Sequence, residues 1–471
     1  MKPAPIKIYN TLSGKKELLK PINGKRINLF VCGPTVYDFI HLGNAKTIII
    51  FDCFAKYLKA VGYDVFYLQN ITDIDDKIIA RAKEKGVSPK DLAEAFTKEY
   101  FKNMKALQVD SVKKYAKATD YIKEIIQQVT ILQEKGFVYG LEDGLYFDIS
   151  KFKGYGKLSG RTALAAEDSV SRIDYSKNKK NRGDFCVWKF AAEYEPSWPS
   201  PFGAGRPGWH IEDTAITETF FGPQYDIHGG GRDLMFPHHE AEITQMEAIS
   251  GLTPMASHWM HTGFLTINGQ KMSKSLNNFV FIDDFLKRYT CQQLRFWIAK
   301  NLWSSPIDYS ESTMMGVAGG LEKMEEMLRK LRNTKFKTLN SKQIQISKLL
   351  KKVKSDFYGA LADNFNTPEA FAAVFEFMKA INPLLDANGL AKKDAVKIVE
   401  FFKEIDKVFG IIDFKKLAKS NIPAEVKKLV KLREGFRKTK EWQKSDETRQ
   451  EIEKYGYTVQ DTGDGPILKK I

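Results

Sequence analysis

Ile27-Asn28-Leu29-Phe30-Val31-Cys32-Gly33-Pro34-Thr35-Val36-Tyr37-Asp38-Phe39-Ile40-His41-Leu42-Gly43-Asn44 passes from an apolar run into a loop marked by glycine and proline. The run from Ile27 to Cys32, stopped by Gly33-Pro34, is predicted to be a buried strand feeding that loop. From Asn44 to Val61 the side chains Ile48, Phe51, Cys53, Phe54, Tyr57 and Leu58 recur at helical spacing, and Asp64 to Leu68 reads as a second strand. Strand, loop, helix and strand in that order open a doubly wound parallel sheet of the α/β class. Ligands of such sheets sit beyond the carboxyl ends of the strands, where Cys32 to Asn44 and Asn70 to Asp76 are expected to emerge.

Working outward, residues 1–111 form the first half of this domain. The character changes over 112–224: a helical stretch to Lys135, a hairpin around Leu141-Glu142-Asp143-Gly144, then a charged loop from Lys177 to Arg182. This reads as an insertion splitting the sheet. Strands resume at Tyr225 to His228 and Trp259 to Leu265, so 225–308 is the second half. Beyond Tyr309 the chain turns helical and lysine-rich, with Leu321, Met324, Leu328 and Leu331 on one apolar face. A helical bundle over 309–413 and a small terminal domain over 414–471 are expected.

At 471 residues the chain is too long for one core. It carries no run of eighteen uncharged apolar residues and no apolar stretch behind Met1-Lys2-Pro3, which predicts neither membrane insertion nor secretion. Four scattered cysteines, Cys32, Cys53, Cys186 and Cys291, exclude a disulfide framework and fit a reducing cytoplasm. With 73 Lys and Arg against 58 Asp and Glu, a net charge of +15 suits a polyanionic partner.

Two motifs bear on phosphate chemistry. His41-Leu42-Gly43-Asn44 stands where the first loop enters a helix: glycine admits a ligand close to the backbone, and the helix start offers free N–H groups and a positive dipole. Read blandly, it is a turn with a capping asparagine. Lys271-Met272-Ser273-Lys274-Ser275, flanked by Gly269 and Asn277-Asn278, places two lysines near one another on a loop. Such groups can meet the charge that develops on a leaving pyrophosphate.

Together these resemble the two signature sequences of class I aminoacyl-tRNA synthetases, although Leu42 and Asn44 depart from the usual His-Ile-Gly-His. Phe30 to Asp38, Gly208-Trp209-His210-Ile211-Glu212 and Phe236-Pro237-His238-His239-Glu240-Ala241-Glu242 resemble segments of cysteinyl-tRNA synthetases. So do Asn70 to Ile78, Asp226 to Gly231, Gly263-Phe264-Leu265 and Asp363 to Pro368. The resemblance implies a Rossmann-like sheet and ATP with magnesium, L-cysteine and tRNA(Cys) as substrates; a monomer is expected, although no residue speaks to it. It also implies one zinc ion per chain, held by Cys32, Asp213, His238 and Glu242, that selects the substrate through its sulfur. Asp213 stands where the family commonly has cysteine. The resemblance further implies that His41, Asn44, Lys271 and Lys274 do the catalytic work. Gly43, Met272, Ser273 and Ser275 then contact the nucleotide, and Thr72, Trp209 and His228 line the cysteine pocket. His238 and Glu242, four apart, share a helical face, and zinc's preference for thiolate makes a separate editing site unnecessary.

From Lys415 to Lys440 ten Lys or Arg face two Glu. Arg433, Arg437, Lys440 and Lys444 recur at helical spacing, with Trp442 available to stack on a base, and Tyr457 to Leu468 reads as a closing hairpin. The resemblance implies that this end meets the anticodon side of tRNA.

Overall fold

The apolar run after Lys25 becomes the middle strand of a five-stranded sheet in the computed structural model, which describes residues 5–161, 176, 178–272, 278–333, 343–387, 390–419, 423–462 and 465–470. A hairpin of β1 (Lys7–Asn10) and β2 (Lys15–Leu18) comes first. Then follow β3 (Arg26–Val31), α1 (Leu42–Ala60), β4 (Asp64–Ile71), α2 (Asp76–Lys85), α3 (Pro89–Ala106) and β5 (Lys114–Lys117). The intervening chain supplies α4 (Ile122–Glu134), then β6 (Val138–Leu141), β7 (Gly144–Phe147), β8 (Phe185–Phe190) and β9 (Gly205–Pro207) as a separate antiparallel sheet, then α5 (Ile211–Phe221). β10 (Tyr225–Gly231), α6 (Glu240–Ser250) and β11 (Ala256–Thr262) complete the large sheet. Its order is β11-β10-β3-β4-β5 and every neighbouring pair is parallel.

This order explains where a ligand can sit. Strand β3 pairs with its successor β4 on one side and, across the insertion, with β10 on the other. The connections therefore leave in opposite directions from β3 and β10, opening a crevice at their carboxyl ends. Strand β5 lies within the stretch read as insertion, yet pairs with β4. Its four residues, Lys114-Tyr115-Ala116-Lys117, show no alternation and are too few to separate an edge strand from a loop.

Helix α1 is apolar on nearly every face, with Ile48, Ile49, Ile50, Phe51, Phe54 and Leu58 all buried. Each such side chain contributes about 1.5–3 kcal/mol on leaving water. The charged pair that crosses this core, Asp52 with Arg295, is fully satisfied: Arg295 also donates to the carbonyls of Leu107 and Phe409.

The expected strand Trp259 to Leu265 is in fact two. Strand β11 stops at Thr262, and the chain resumes as β12 (Leu265–Ile267) and β13 (Gln270–Lys271). The break falls at Gly263, where a Cβ would meet the Ser305 carbonyl at 2.3 Å, so only glycine passes. After α7 (Ile282–Arg288) and α8 (Cys291–Ala299), β14 (Ile307–Tyr309) pairs with β12. The helices α9 (Glu311–Asn333), α10 (Gln343–Ala362), α11 (Thr367–Asp386) and α12 (Lys392–Phe409) pack on one another. Among the described residues no helix is long and apolar enough to cross a membrane.

The chain divides into two compact units, Met1–Ile412 and Asp413–Ile471. The second holds α13 (Phe414–Lys419), α14 (Ala424–Lys438), α15 (Trp442–Lys454) and a hairpin of β15 (Tyr457–Thr462) and β16 (Gly465–Lys470) around Val426, Ile452 and Val459. The spacing of Arg433, Arg437, Lys440 and Lys444 does not form one helical face. Helix α14 ends at Lys438, Lys440 turns the chain with a positive φ of 62°, and Lys444 belongs to α15. Arg433 is only 1% exposed and makes a two-pronged bond to Asp461 at 2.8 Å. Trp442, 56% exposed, has Arg437 5.8 Å from its ring.

The Arg433 guanidinium holds the Asp461 carboxyl below its usual range. The pair's contribution is therefore present above the ordinary carboxylate pKa and fades as pH falls through the lowered one. Asp461 is partly open to solvent, which screens the pair. Asp461→Asn is expected to cost the second unit about 1–2 kcal/mol, read as faster amide exchange in α14. Unchanged exchange would contradict this role.

Candidate functional site

Four side chains converge at the crevice. Cys32 prolongs β3, its N–H donating to the Gly229 carbonyl at 3.0 Å. Asp213 lies in the first turn of α5, His238 in the tight turn Met235–His239, and Glu242 in the first turn of α6. His238 Nε2 is 3.0 Å from Asp213 Oδ2 and 2.8 Å from Glu242 Oε1. Cys32 Sγ is 3.4 Å from Asp213 Oδ2 and 3.9 Å from Glu242 Oε1. All four groups are buried and offer ligand atoms within 4.8 Å of one another.

That geometry fits a four-coordinate metal ion. Bonds of about 2.0–2.3 Å in a tetrahedral site set donor atoms about 3.3–3.8 Å apart, and the contacts here straddle that range. Asp213 Oδ1 is buried without a hydrogen-bond partner among the described residues. The charges also call for a cation. Burial, then the Glu242 and Asp213 carboxylates, push the Cys32 thiol well up. Burial raises Glu242, and His238 is held protonated against burial by Glu242 and Asp213. A divalent ion would relieve both carboxylates and draw the proton from the thiol.

Histidines surround the quartet. His238 Nδ1 meets His210 Nδ1 at 2.8 Å. His239 Nε2 approaches Cys32 Sγ to 3.1 Å, and its Nδ1 meets His261 Nε2 at 2.7 Å, which in turn reaches the Thr11 hydroxyl. Burial keeps His210, His228, His239 and His261 neutral. His239 belongs to a second possible ligand set, Cys32, His228, His239 and Glu242. The sequence carried a signal for it, the pair His238-His239, but the resemblance implies His238 as the ligand, and helical spacing puts either one on the face of Glu242. His261 carries no sequence signal for this centre, because strand register brings it there, and His210, although in a segment that resembles the family, has no spacing that ties it to the quartet. Glu212, in the same segment, is buried at the cleft beside Thr72, its hydrogen-bond partner.

The quartet opens into a cleft of ≈ 810 Å³. Cys32, Thr72, Trp209, Asp213 and His238 line one end, and His41, Gly43, Asn44 and Met272 line the other. Trp209 stacks on His238 at 4.3 Å, and Thr72 bridges to Thr35 in the loop after β3. His228 lies behind this wall, fully buried, stacked on Trp259 at 4.1 Å with Nδ1 2.7 Å from the Tyr225 hydroxyl. At the α1 end the His41 ring accepts from the Gly43 N–H at 3.1 Å, and the Asn44 side chain accepts from the His41 N–H at 3.1 Å, a reciprocal helix cap. Burial lowers the His41 pKa. With Nδ1 accepting, the neutral ring carries its proton on Nε2. Lys271 ends β13 opposite Thr266, its side chain outside the described residues, as are Ser273, Lys274 and Ser275.

A family model for the class I (C) tRNA synthetase catalytic domain matches residues 18–318. The chain belongs to that family. A DALR domain model matches residues 356–413. The chain is similar over nearly its whole length to cysteine–tRNA ligases. It is 43% identical to one from Methanococcus maripaludis and 42% to one from Thermococcus gammatolerans, each comparison covering 99% of both chains. In fold it is similar to the Mycobacterium tuberculosis methionyl-tRNA synthetase bound by methionyl-adenylate, with a TM-score of 0.61, 14% identity, and coverage of 82% of this chain and 92% of that one.

The two overlapping ligand sets are separable in this family member. Metal-free protein titrated with Co²⁺ is expected to show a d–d absorption band that His238→Ala weakens at least about tenfold and His239→Ala leaves in place. The reverse pattern would assign the ion to the other set.

Proposed function

We propose that the chain joins L-cysteine to the 3′ end of tRNA(Cys) in two steps, both within this cleft. The observation that carries the reading is the buried quartet of Cys32, Asp213, His238 and Glu242, open to the same space as the start of α1. Its single thiolate, imidazole and two carboxylates suit zinc. Asp213 replaces the soft thiolate implied by resemblance with a hard carboxylate of the same charge. When bound there, zinc would lower the pKa of the substrate thiol and hold its sulfur, which a serine hydroxyl cannot match.

Thr72 and Trp209 wall the amino acid in, with Trp209 fixed by its stack on His238. In the first step a carboxylate oxygen of cysteine attacks the α-phosphorus of ATP, which enters with magnesium. The bond to the bridging oxygen breaks and pyrophosphate leaves. Such a step asks for alignment and charge stabilisation more than for an enzyme nucleophile. Neutral His41 donates from Nε2 to a phosphate oxygen, Asn44 and the α1 N-terminus add donors, and Gly43 admits the phosphates close to the backbone. Lys271 and Lys274 balance the charge on the departing pyrophosphate, with Met272, Ser273 and Ser275 completing the nucleotide contacts. In the second step a ribose hydroxyl of the terminal adenosine attacks the acyl carbon and AMP leaves. Residues 414–471 then serve the anticodon side, through Arg437, Lys444 and exposed Trp442. The enzyme works as a monomer in the cytoplasm.

Exchange of labelled pyrophosphate into ATP should require cysteine. Lys274→Ala is expected to slow it about 10²–10³-fold with little change in the KM for cysteine. Exchange at the unsubstituted rate would refute the role given to that segment.

A further inference from the structure

Lys46 falls outside every motif, one turn into α1, yet it is 1% exposed. Its ammonium donates to the carbonyls of Gly263 and Ser305, each at 2.7 Å, and of Phe264 at 3.3 Å. Three donors thus meet three acceptors, from two segments far apart in sequence. No carboxylate among the described residues forms an ion pair with it, and burial alone draws its pKa down to about 7. A methionine would fill the same core space without the cost of desolvating a charge. The charge therefore does something that packing cannot: it aims three carbonyl dipoles at one point on α1.

The captured segment is the break between β11 and β12. From there the chain runs through β12 and β13 to Lys271 and Met272. The next residue of α1 adds a second tie, Thr47 Oγ1 to Thr262 Oγ1 at 2.7 Å. On the far side of the lysine run, the Leu42 N–H donates to the Val280 carbonyl at 3.0 Å and the Ile282 N–H to the Ile40 carbonyl at 3.2 Å. The start of α1 thus holds the chain both before and after that run. Gly43, Asn44 and Thr47 line one wall of the cleft, and Thr262, Gly263, Phe264, Leu265 and Met272 line the facing one. The tolerance is small, since a Cβ on Gly43 would come within 2.9 Å of Met272 Cε.

We propose that Lys46 is a positioning residue for adenylate formation: it fixes the spacing between the helix start at His41–Asn44 and the strand pair that carries Lys271, touching neither cysteine nor its metal. The proposal rests on the reading of those two segments as the phosphate-handling pair. Substituting Lys46 should therefore disturb ATP and spare cysteine, a split that a general loss of stability would not produce.

The test compares Lys46→Met and Lys46→Arg in cysteine-dependent pyrophosphate exchange. The methionine variant is expected to lose 10–100-fold in kcat/KM for ATP, with the KM for cysteine within about twofold of the unsubstituted value. Arginine, which can still donate to the three carbonyls, is expected to restore most of the loss. Should the methionine variant fail to fold, Thr47→Val removes the second tie to Thr262 without a change of shape, and is expected to give the same ATP-selective defect in smaller measure. Equal losses toward ATP and cysteine, or unchanged ATP kinetics in the substituted protein, would overturn the proposal and leave the two-step reading intact. An unsubstituted protein that exchanges no pyrophosphate would overturn the reading and the proposal together.

Discussion

The sulfur of Cys32 lies 3.4 Å from one carboxylate and 3.9 Å from another, with a protonated imidazole between them, all buried at the floor of the cleft. Such a cluster is costly to bury, because two carboxylates and a thiol compete for a single proton source. The larger unit is arranged to hold these groups together all the same. The parallel pairing of β3 with β10 puts Cys32 at the crevice, and the starts of α5 and α6 bring positive dipole ends to Asp213 and Glu242. The neutral histidines behind them supply directed hydrogen bonds without adding charge. A divalent cation resolves the competition, and it offers a sulfur-bearing substrate a ligand position that an alcohol cannot fill as well.

The same architecture divides the cleft by chemistry. One end is built from strand ends and helix starts and deals with sulfur. The other is built on the N-terminus of α1 and deals with phosphate. Helix α1 organises the second end: its apolar body is packed in the core, its first turn caps itself through His41 and Asn44, and Lys46 and Thr47 grip the strand break at Thr262–Phe264.

Much of this was legible in the sequence, and for physical reasons. A six-residue apolar strand stopped by Gly33-Pro34 and followed by a helix-period pattern admits few folds. Motif likeness implied Cys32, Asp213, His238 and Glu242 together, and the spacing by four of His238 and Glu242 agreed with it. What was hidden depends on long-range geometry. His261 is an ordinary histidine until strand register sets it, through His239, beside Cys32. The break at Gly263 follows from a close approach to Ser305, 42 residues on. Arg433 looked like part of a basic face because spacing does not reveal that Asp461, on the hairpin, claims it. Strand β5 was hidden for the opposite reason, being too short to show a period.

X-ray absorption at the zinc edge addresses the central claim most directly, because it counts sulfur neighbours of the metal. One sulfur at about 2.3 Å is expected in the protein as purified, from Cys32, rising to two when cysteine is added and staying at one with serine. A protein that carries no zinc, or one whose sulfur count does not change with cysteine, would contradict it.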